Sequence, residues 1–439
     1  MSKNRLLSWG NYPAFPQIPI ACHWRVDLEA VFRALRERHG STLVYGSGRS
    51  YGDSCLAASD HVLHTRTLDR FLSADWSAGV LTAECGVTLE AILAVAVPRG
   101  WFLSVTPGTK YVTLGGAIAN DVHGKNHHRR GTFGCHVRRF GLLRSDSGRI
   151  TCSPDENAAL FNATIGGLGL TGIIEWAEIQ LMPIRSSQID SVSQRFGNLD
   201  EFFALSDELD EQHEFCVSWI DCTADGKSIG RGLYVAGDFS DTGPLEVEST
   251  RKLTIPFSLP TPLIGGASVR AFNEFYWRKA AASRLHTSSG YDRFFYPLDA
   301  ICMWNRIYGR RGFQQYQALI PEAEAEAGVR ALLSAIAQSR TGSFLAVLKR
   351  CGEIMSPGLL SFPGPGTTLA LDFPQSTSLT VSLFPRLDAI VREVGGRIYP
   401  AKDAHIDGKD FRRGYPAWKM IEAARDPALM SRFWKRVTQ

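Results

Sequence analysis

The segment Pro107–His128, PGTKYVTLGGAIANDVHGKNHH, constrains this chain more than any other stretch. It crowds two glycine turns, three histidines and two lysines into one short span. Gly108, Gly115 and Gly116 carry no Cβ and so admit a ligand close to the backbone. With Thr113 and the small run Ala117-Ile118-Ala119, they would let amide N–H groups face an anion such as a pyrophosphate. Asp121, His123, Lys125 and His127 follow at alternate positions, which in an extended segment would share one face. A cradle followed by a row of acid–base groups points to a cofactor site with chemistry beside it. A polar loop built on a glycine turn is the plainer alternative.

At 439 residues the chain is too long for one simple core and suggests two or three domains. Its 48 basic and 44 acidic residues leave a net charge of +4, which is no nucleic-acid signature. Arg129-Arg130 and Arg138-Arg139 are either local anion-attracting patches or solvated surface pairs. Nine cysteines, an odd number without a CxxC pair, suit a thiol-reducing compartment better than a disulfide framework. No metal is expected. The N-terminal MSKNRLLSWGNYPAFP lacks the apolar core and cleavage site of a signal peptide. The longest apolar runs, such as Ala91–Pro98, are too short to span a bilayer. A soluble, cytoplasmic protein is expected, with contact at the inner face of a membrane left open.

In chain order, Trp24–Arg38 has helical periodicity, and strands are expected at Thr42–Tyr45, His61–His64 and Gly79–Glu84. Thr88 would cap a helix running to Val97 and stopped by Pro98. Val137–Leu143 and Arg149–Cys152 flank Asp146-Ser147-Gly148, a hairpin signal. Ala158–Thr164 is expected to be helical and Ile173–Leu181 a strand. Further on, helices are expected at Leu199–Asp210, Glu322–Gln338 and near Leu383–Val394. Strands are expected at Glu214–Asp221, Gly232–Ala236, Phe344–Lys349 and Thr368–Phe373, and the tail Gly395–Asp403 reads as a strand turning into a polar loop. Ser258–Gly266, SLPTPLIGG, is either a buried connector or a lid for a greasy substrate. This order argues for an α+β fold.

Two further glycine-rich stretches compete for the cofactor. Gly167-Leu168-Gly169-Leu170-Thr171-Gly172 matches GxGxxG literally, but a dinucleotide fingerprint needs a strand before it and a helix after it. Here the order is reversed, which rejects the Rossmann reading and leaves a turn, either against a planar ligand or simply tight. Gly46-Ser47-Gly48-Arg49-Ser50-Tyr51-Gly52 follows a strand and sets an arginine among three glycines, a combination suited to a pyrophosphate. Two such loops, about sixty residues apart, can clamp one diphosphate.

GSGRSYGD, the Pro107–His128 segment and GGLGLTGII together resemble the FAD-binding domain of the vanillyl-alcohol-oxidase-type flavoproteins. FYPLD, WNRIYG, GFQQYQ, LSFPGPG, LDFP and GGRIYPAKD extend the likeness over nearly the whole chain, toward the decaprenylphosphoryl-ribose-oxidase-like branch. The resemblance implies an α+β, two-domain FAD-binding oxidase with a PCMH-type flavin domain and an antiparallel-sheet substrate domain. Residues 1–186 would form the flavin domain, 187–396 the substrate domain, and 397–439 would return to the flavin domain. It implies FAD contacts at Gly46, Ser47, Gly48, Arg49, Ser50, Tyr51, Gly52, Asp53, Gly108, Thr113, Leu114, Gly115, Gly116, Asn120, Asp121, Val122, His123, Ile174 and Tyr399. Covalent relatives often carry histidine where Arg49 stands; arginine cannot form that bond, so non-covalent FAD is expected.

Oxidation of a secondary alcohol needs a base for the hydroxyl proton and an acceptor for two electrons, the flavin. By resemblance Lys402 is the base or the partner holding the hydroxyl, and His123 touches the flavin or its reacting partner. A free lysine titrates near ~10.4, so that role requires burial or a neighbouring cation. Lys125 and Lys349 would supply positive charge or bind a substrate phosphate. Tyr51, Tyr296, Gln315 and Gln317 are candidate sugar-binding groups. Thr368-Leu369-Ala370 stands where the branch carries Asn-x-Cys, so the reactive thiol is absent and Thr368 takes the asparagine's place in the substrate site. The implied activity is oxidation of a sugar hydroxyl, the 2′-OH of a polyprenyl-phosphate-linked pentose, to a ketone. A separate short-chain dehydrogenase/reductase would complete an epimerisation in cell-wall polysaccharide synthesis. An aldonolactone oxidase and a catalytically inactive flavin-binding scaffold are the alternatives. The electron acceptor, quinone or oxygen, stays open.

Overall fold

The computed structural model describes residues 5–248, 253–258 and 265–439. Residues 259–264 of the expected proline-broken loop lie outside the described residues. Three sheets carry the fold. Near the N-terminus, Leu43–Tyr45 and Ile18–Ala21 pair in parallel on either side of His61–His64. The second sheet is antiparallel, in the order Phe71–Asp75, Val80–Glu84, Ile173–Pro183, Val137–Arg144 and Gly148–Cys152, with Trp101–Leu103 paired to the far end of Ile173–Pro183. The third, eight strands among the described residues, runs Leu285–Gly290, Gln188–Phe196, Gly232–Phe239, Phe215–Ile220, Ala346–Cys351, Gly366–Pro374, Phe313–Pro321 and Arg397–Ile398. Its pairings are all antiparallel.

Local chemistry sets the elements. Thr88 caps the helix Leu89–Ala96 by accepting from the Ala91 amide at 3.2 Å, and a 3-10 turn at Val97–Arg99 then carries the chain over Pro98 rather than stopping at it. The hairpin between Val137–Arg144 and Gly148–Cys152 closes through Gly148 at φ +73°, a conformation that favours glycine. The expected helix Trp24–Arg38 begins later, at Leu28–His39, after a 3-10 turn. Glu322–Gln338 divides into a 3-10 turn and the helix Ala325–Ser339, which buries Val329, Leu332, Leu333 and Ile336 against the eight-stranded sheet. The strand expected at Phe344–Lys349 forms two residues later, at Ala346–Cys351. Sequence periodicity did not point to Ile18–Ala21, Gln188–Phe196, Leu285–Gly290 or the helix Gly266–Lys279. The nine cysteines are free thiols. Among the described residues no helix is long and apolar enough to cross a membrane.

The tail is pinned by charge. Arg436, in the helix Arg432–Thr438, donates to Asp53 Oδ2 at 3.0 Å and Oδ1 at 2.8 Å, and to Asp403 Oδ2 at 2.8 Å. Both carboxylates are buried and share this guanidinium, while Asp403 Oδ1 also accepts from the His405 and Ile406 amides at 2.9 and 3.0 Å. The triad fastens the last helix to the turn after Gly46–Gly52 and to the loop carrying Lys402. Arg436→Met leaves two buried carboxylates facing each other and costs about 3 kcal/mol in a denaturant unfolding titration. Arg185→Ala, which removes an exposed pair with Asp241, shifts the same curve within experimental error.

Candidate active site

A cavity of about 880 Å³ lies between the sheets, and the two glycine turns meet in its wall. The strand Leu43–Tyr45 delivers Gly46 against Thr113, where a Cβ on Gly46 would lie 2.4 Å from Thr113 Oγ1. Thr113 is itself held as the cap of the helix Leu114–Ala119, accepting from the Gly116 amide at 3.2 Å. The amides of Leu114 and Gly115 donate to the carbonyls of Val87 and Cys85 at 2.8 and 2.9 Å. The second turn has therefore spent these amides on the protein, contrary to the expectation that they face an anion. The first turn supplies the free donors. The amides of Ser47, Gly48, Arg49 and Ser50 find no acceptor among the described residues. Arg49 stacks its guanidinium 4.0 Å over Trp9, and its buried Nε has no partner. Unmet donors around glycines are what a diphosphate requires.

Beyond this turn the wall becomes chemical. The Tyr51 amide donates to the Ala401 carbonyl at 3.0 Å, and this backbone bond sets Lys402 Nζ 3.7 Å from the centre of the Tyr51 ring. Burial lowers the Lys402 pKa and raises that of Asp372; each charge pulls the other partway back. Gln315 Nε2 donates to Asp372 Oδ1 at 2.6 Å, while Asp372 Oδ2 is buried without a hydrogen-bond partner. Across the cavity, Lys349 Nζ lies 2.8 Å from His123 Nδ1 and donates to the Gly124 carbonyl at 2.5 Å. Burial and then Lys349 hold His123 far below its ordinary pKa, so the ring is neutral, with one nitrogen accepting and the other donating. Burial pushes the Lys125 amine down to about 7; it donates to the Phe294 carbonyl and lies 4.4 Å from that residue's ring centre. Lysines with weakened charge facing one cavity can move protons near neutral pH or bind anions.

Most of the residues singled out from the sequence line this cavity: Gly46–Tyr51, Gly108, Thr113, Gly115, Gly116, Asn120, Val122, His123, Lys125, Ile174, Gln315, Gln317, Lys349, Thr368, Tyr399 and Lys402. Five do not. Gly52 lets the Asp403 carbonyl approach where a Cβ would lie 1.6 Å from it, and Asp53 belongs to the Arg436 triad. Leu114 is fully buried in the core. Asp121 turns inward at φ +41° and accepts from the Gly134 amide at 2.8 Å and from the Ser356 and Ser361 hydroxyls, each at 2.5 Å. Tyr296 is buried with its hydroxyl 2.6 Å from Thr106 Oγ1. The segment Asp121–His127 is thus not extended: His127 joins the short helix His127–Arg130 and faces the core, leaving His123 and Lys125 toward the cavity.

Other wall residues escaped the sequence reading. Leu168, Gly169 and Gly172 of the literal GxGxxG line the cavity, after a helix and before a strand as that order required. Val217 and Trp219 with Leu233 and Val235 give the cavity an apolar wing over the eight-stranded sheet, closed by Phe272 and Tyr276. Their i, i+2 spacing was the available signal. Asp372 lay within the quoted LDFP motif, but its partnership with Lys402 is a tertiary fact.

Free backbone donors opening directly onto lysines of lowered pKa belong to an enzyme that holds a phosphorylated cofactor beside its reacting groups. The class is that of the FAD-dependent oxidoreductases. Residues 16–153 match the family model described as an FAD binding domain. The chain is 34% identical over 438 residues to decaprenylphosphoryl-β-D-ribose oxidase of Mycolicibacterium smegmatis, spanning 96% of this chain and 94% of that protein. An uncharacterised Streptomyces coelicolor protein is 31% identical over 78% of this chain and 96% of its own length. Mouse L-gulonolactone oxidase is 25% identical over 41% of this chain and 42% of its own. The chain belongs to the family of FAD-dependent oxidases that includes the mycobacterial enzyme.

The glycines separate packing from ligand binding. A Cβ at Gly108 would meet no protein atom within 4 Å. Gly108→Ala therefore leaves the melting temperature of the FAD-free protein unchanged but weakens FAD binding about tenfold, measured by fluorescence titration. Gly46→Ala, which strikes Thr113, lowers both.

Proposed function

We propose that this oxidase converts a secondary hydroxyl of a sugar to a ketone, acting on the 2′-OH of a polyprenyl-phosphate-linked pentose. The name and full-length similarity of the mycobacterial relative support the substrate class. The observation that carries the chemistry is the placement of Lys402 over Tyr51, with Asp372 as its electrostatic partner, in the cavity that also holds the free donors of the first turn. FAD, when bound, supplies the two-electron acceptor. Arg49 and the amides of Ser47–Ser50 would hold its diphosphate; Gly108, Val122, Ile174 and Tyr399 would line its seat.

Lys402 Nζ, unprotonated, takes the hydroxyl proton, and the Asp372 carboxylate balances the ammonium that forms. The neutral His123, fixed by Lys349 and Gln317, holds the substrate side of the cavity. Lys125 and Lys349 favour an anionic phosphate, and Gln315, Gln317 and Thr368 present polar groups to sugar hydroxyls. The apolar wing from Val217 to Tyr276 suits a lipid carrier. We assign non-covalent FAD, because Arg49 offers no nucleophile. Action at the cytoplasmic face of a membrane, with a short-chain reductase completing an epimerisation, fits a lipid-linked sugar. We also propose the division into a flavin domain (1–186 and 397–439) and a substrate domain (187–396). The change from the second sheet to the third between Pro183 and Gln188 supports it, although Arg397–Ile398 pairs with the third sheet.

The partial similarity to L-gulonolactone oxidase keeps aldonolactone oxidation as the second reading; turnover of lactones against polyprenyl-phosphate pentoses separates the two. Lys402→Ala retains FAD but lowers kcat/KM about 10²–10⁴-fold; substrate-driven flavin reduction as fast as in the parent contradicts the assigned base. In the parent the rate climbs with pH and levels off, because a base acts only above its pKa, and the inflection lies below that of free lysine. Acid precipitation releases the yellow colour into the supernatant; colour retained in the pellet contradicts non-covalent binding.

A further inference from the structure

Behind the cavity wall, three potential metal ligands from distant parts of the chain come together. His128 lies in the helix His127–Arg130, Asp210 in the helix Leu199–Gln212, and Cys216 in the strand Phe215–Ile220. One ligand atom from each lies within 4.8 Å of the other two. The surroundings are those of a prepared site. His128 Nε2 donates to the His213 carbonyl at 3.1 Å, which fixes the tautomer and leaves a lone pair on Nδ1. Nδ1 is buried and has no hydrogen-bond partner. The Tyr234 hydroxyl donates to Asp210 Oδ1 at 2.6 Å and orients that carboxylate. Metal-bound histidine and carboxylate groups are commonly held by outer hydrogen bonds of this kind. The Cys216 thiol donates to the Leu209 carbonyl at 3.7 Å, and this is the proton that a metal would displace.

We propose that His128 Nδ1, an Asp210 carboxylate oxygen and Cys216 Sγ bind one divalent cation of the zinc class. A mixed nitrogen, oxygen and sulfur set suits zinc rather than magnesium or calcium, with a water completing the tetrahedron. Ligand atoms around tetrahedral zinc stand roughly 3.5 Å apart, so the three groups close inward by about an ångström on binding. The thiol proton leaves to solvent as the sulfur–metal bond forms. His128, Asp210 and Cys216 do not line the cavity, so the ion acts as a cross-link and takes no part in the reaction. The Cys216 amide donates to the Lys125 carbonyl at 2.9 Å, and His128 lies three residues further along. An ion here joins the segment carrying His123 and Lys125 to the eight-stranded sheet. No spacing pattern announces the site, because its ligands are brought together only by the fold.

The test uses tag-free, FAD-loaded full-length protein equilibrated with zinc and dialysed into metal-free buffer. Elemental mass spectrometry of the parent gives about one zinc per chain, and Cys216→Ser and His128→Gln each fall below about 0.1. Zinc slows deuterium exchange in the segment 123–130 of the parent and not of either variant. Zinc-edge X-ray absorption of the unmutated protein needs no variant to fold and shows one sulfur at about 2.3 Å. A parent without retained zinc, a nitrogen/oxygen-only shell, or unchanged zinc content in both variants would overturn the assignment.

Discussion

The close approach of Gly46 to Thr113 is the contact on which the cavity depends. It joins the three-stranded parallel sheet to the short helix that begins the histidine-bearing segment, and it works only because residue 46 has no side chain. Cys85 and Val87 hold the other side of that helix through backbone carbonyls. The amides that look free in the sequence are consumed in building this junction. The donors left over belong to Ser47–Ser50, so the second turn fixes the geometry and the first turn offers the charge-binding groups.

The remainder of the cavity follows from which charges are taken out of water. Lys125, Lys349 and Lys402 all carry pKa values lowered by burial, and the acidic partner Asp372 is raised. Lys125, Lys402 and Asp372 exchange protons near neutrality because neither form is strongly preferred. The Arg436 triad is the opposite case: two carboxylates kept around a guanidinium that is always charged. One arrangement suits reactivity and the other anchoring, and they are separated along the chain by a single peptide bond, between Lys402 and Asp403.

Much of this was legible in the sequence where the signal was local. Periodicity found the helices at Leu199 and Ala325 and the strands around Ile173 and Thr368, because one face of each is buried. Punctuation by glycine found both turns. The resemblance selected residues that gather around one cavity although they come from distant parts of the chain. What failed was the direction of side chains. Alternation from Asp121 to His127 assumed an extended backbone, and a positive φ at Asp121 broke it. Tyr296 and Asp53 have the right chemistry for a site, yet Thr106 and Arg436 claim them, and no local pattern announces partners that far away.

The Tyr51–Ala401 backbone bond has a consequence for the life of the molecule. The cavity wall that Gly46–Tyr51 forms is incomplete until the segment around Ala401 has docked on it. Without residue 401 the Tyr51 amide loses this acceptor, and Lys402 loses the bond that sets it over the ring. Once captured, the ligand adds its binding free energy to the folded state alone.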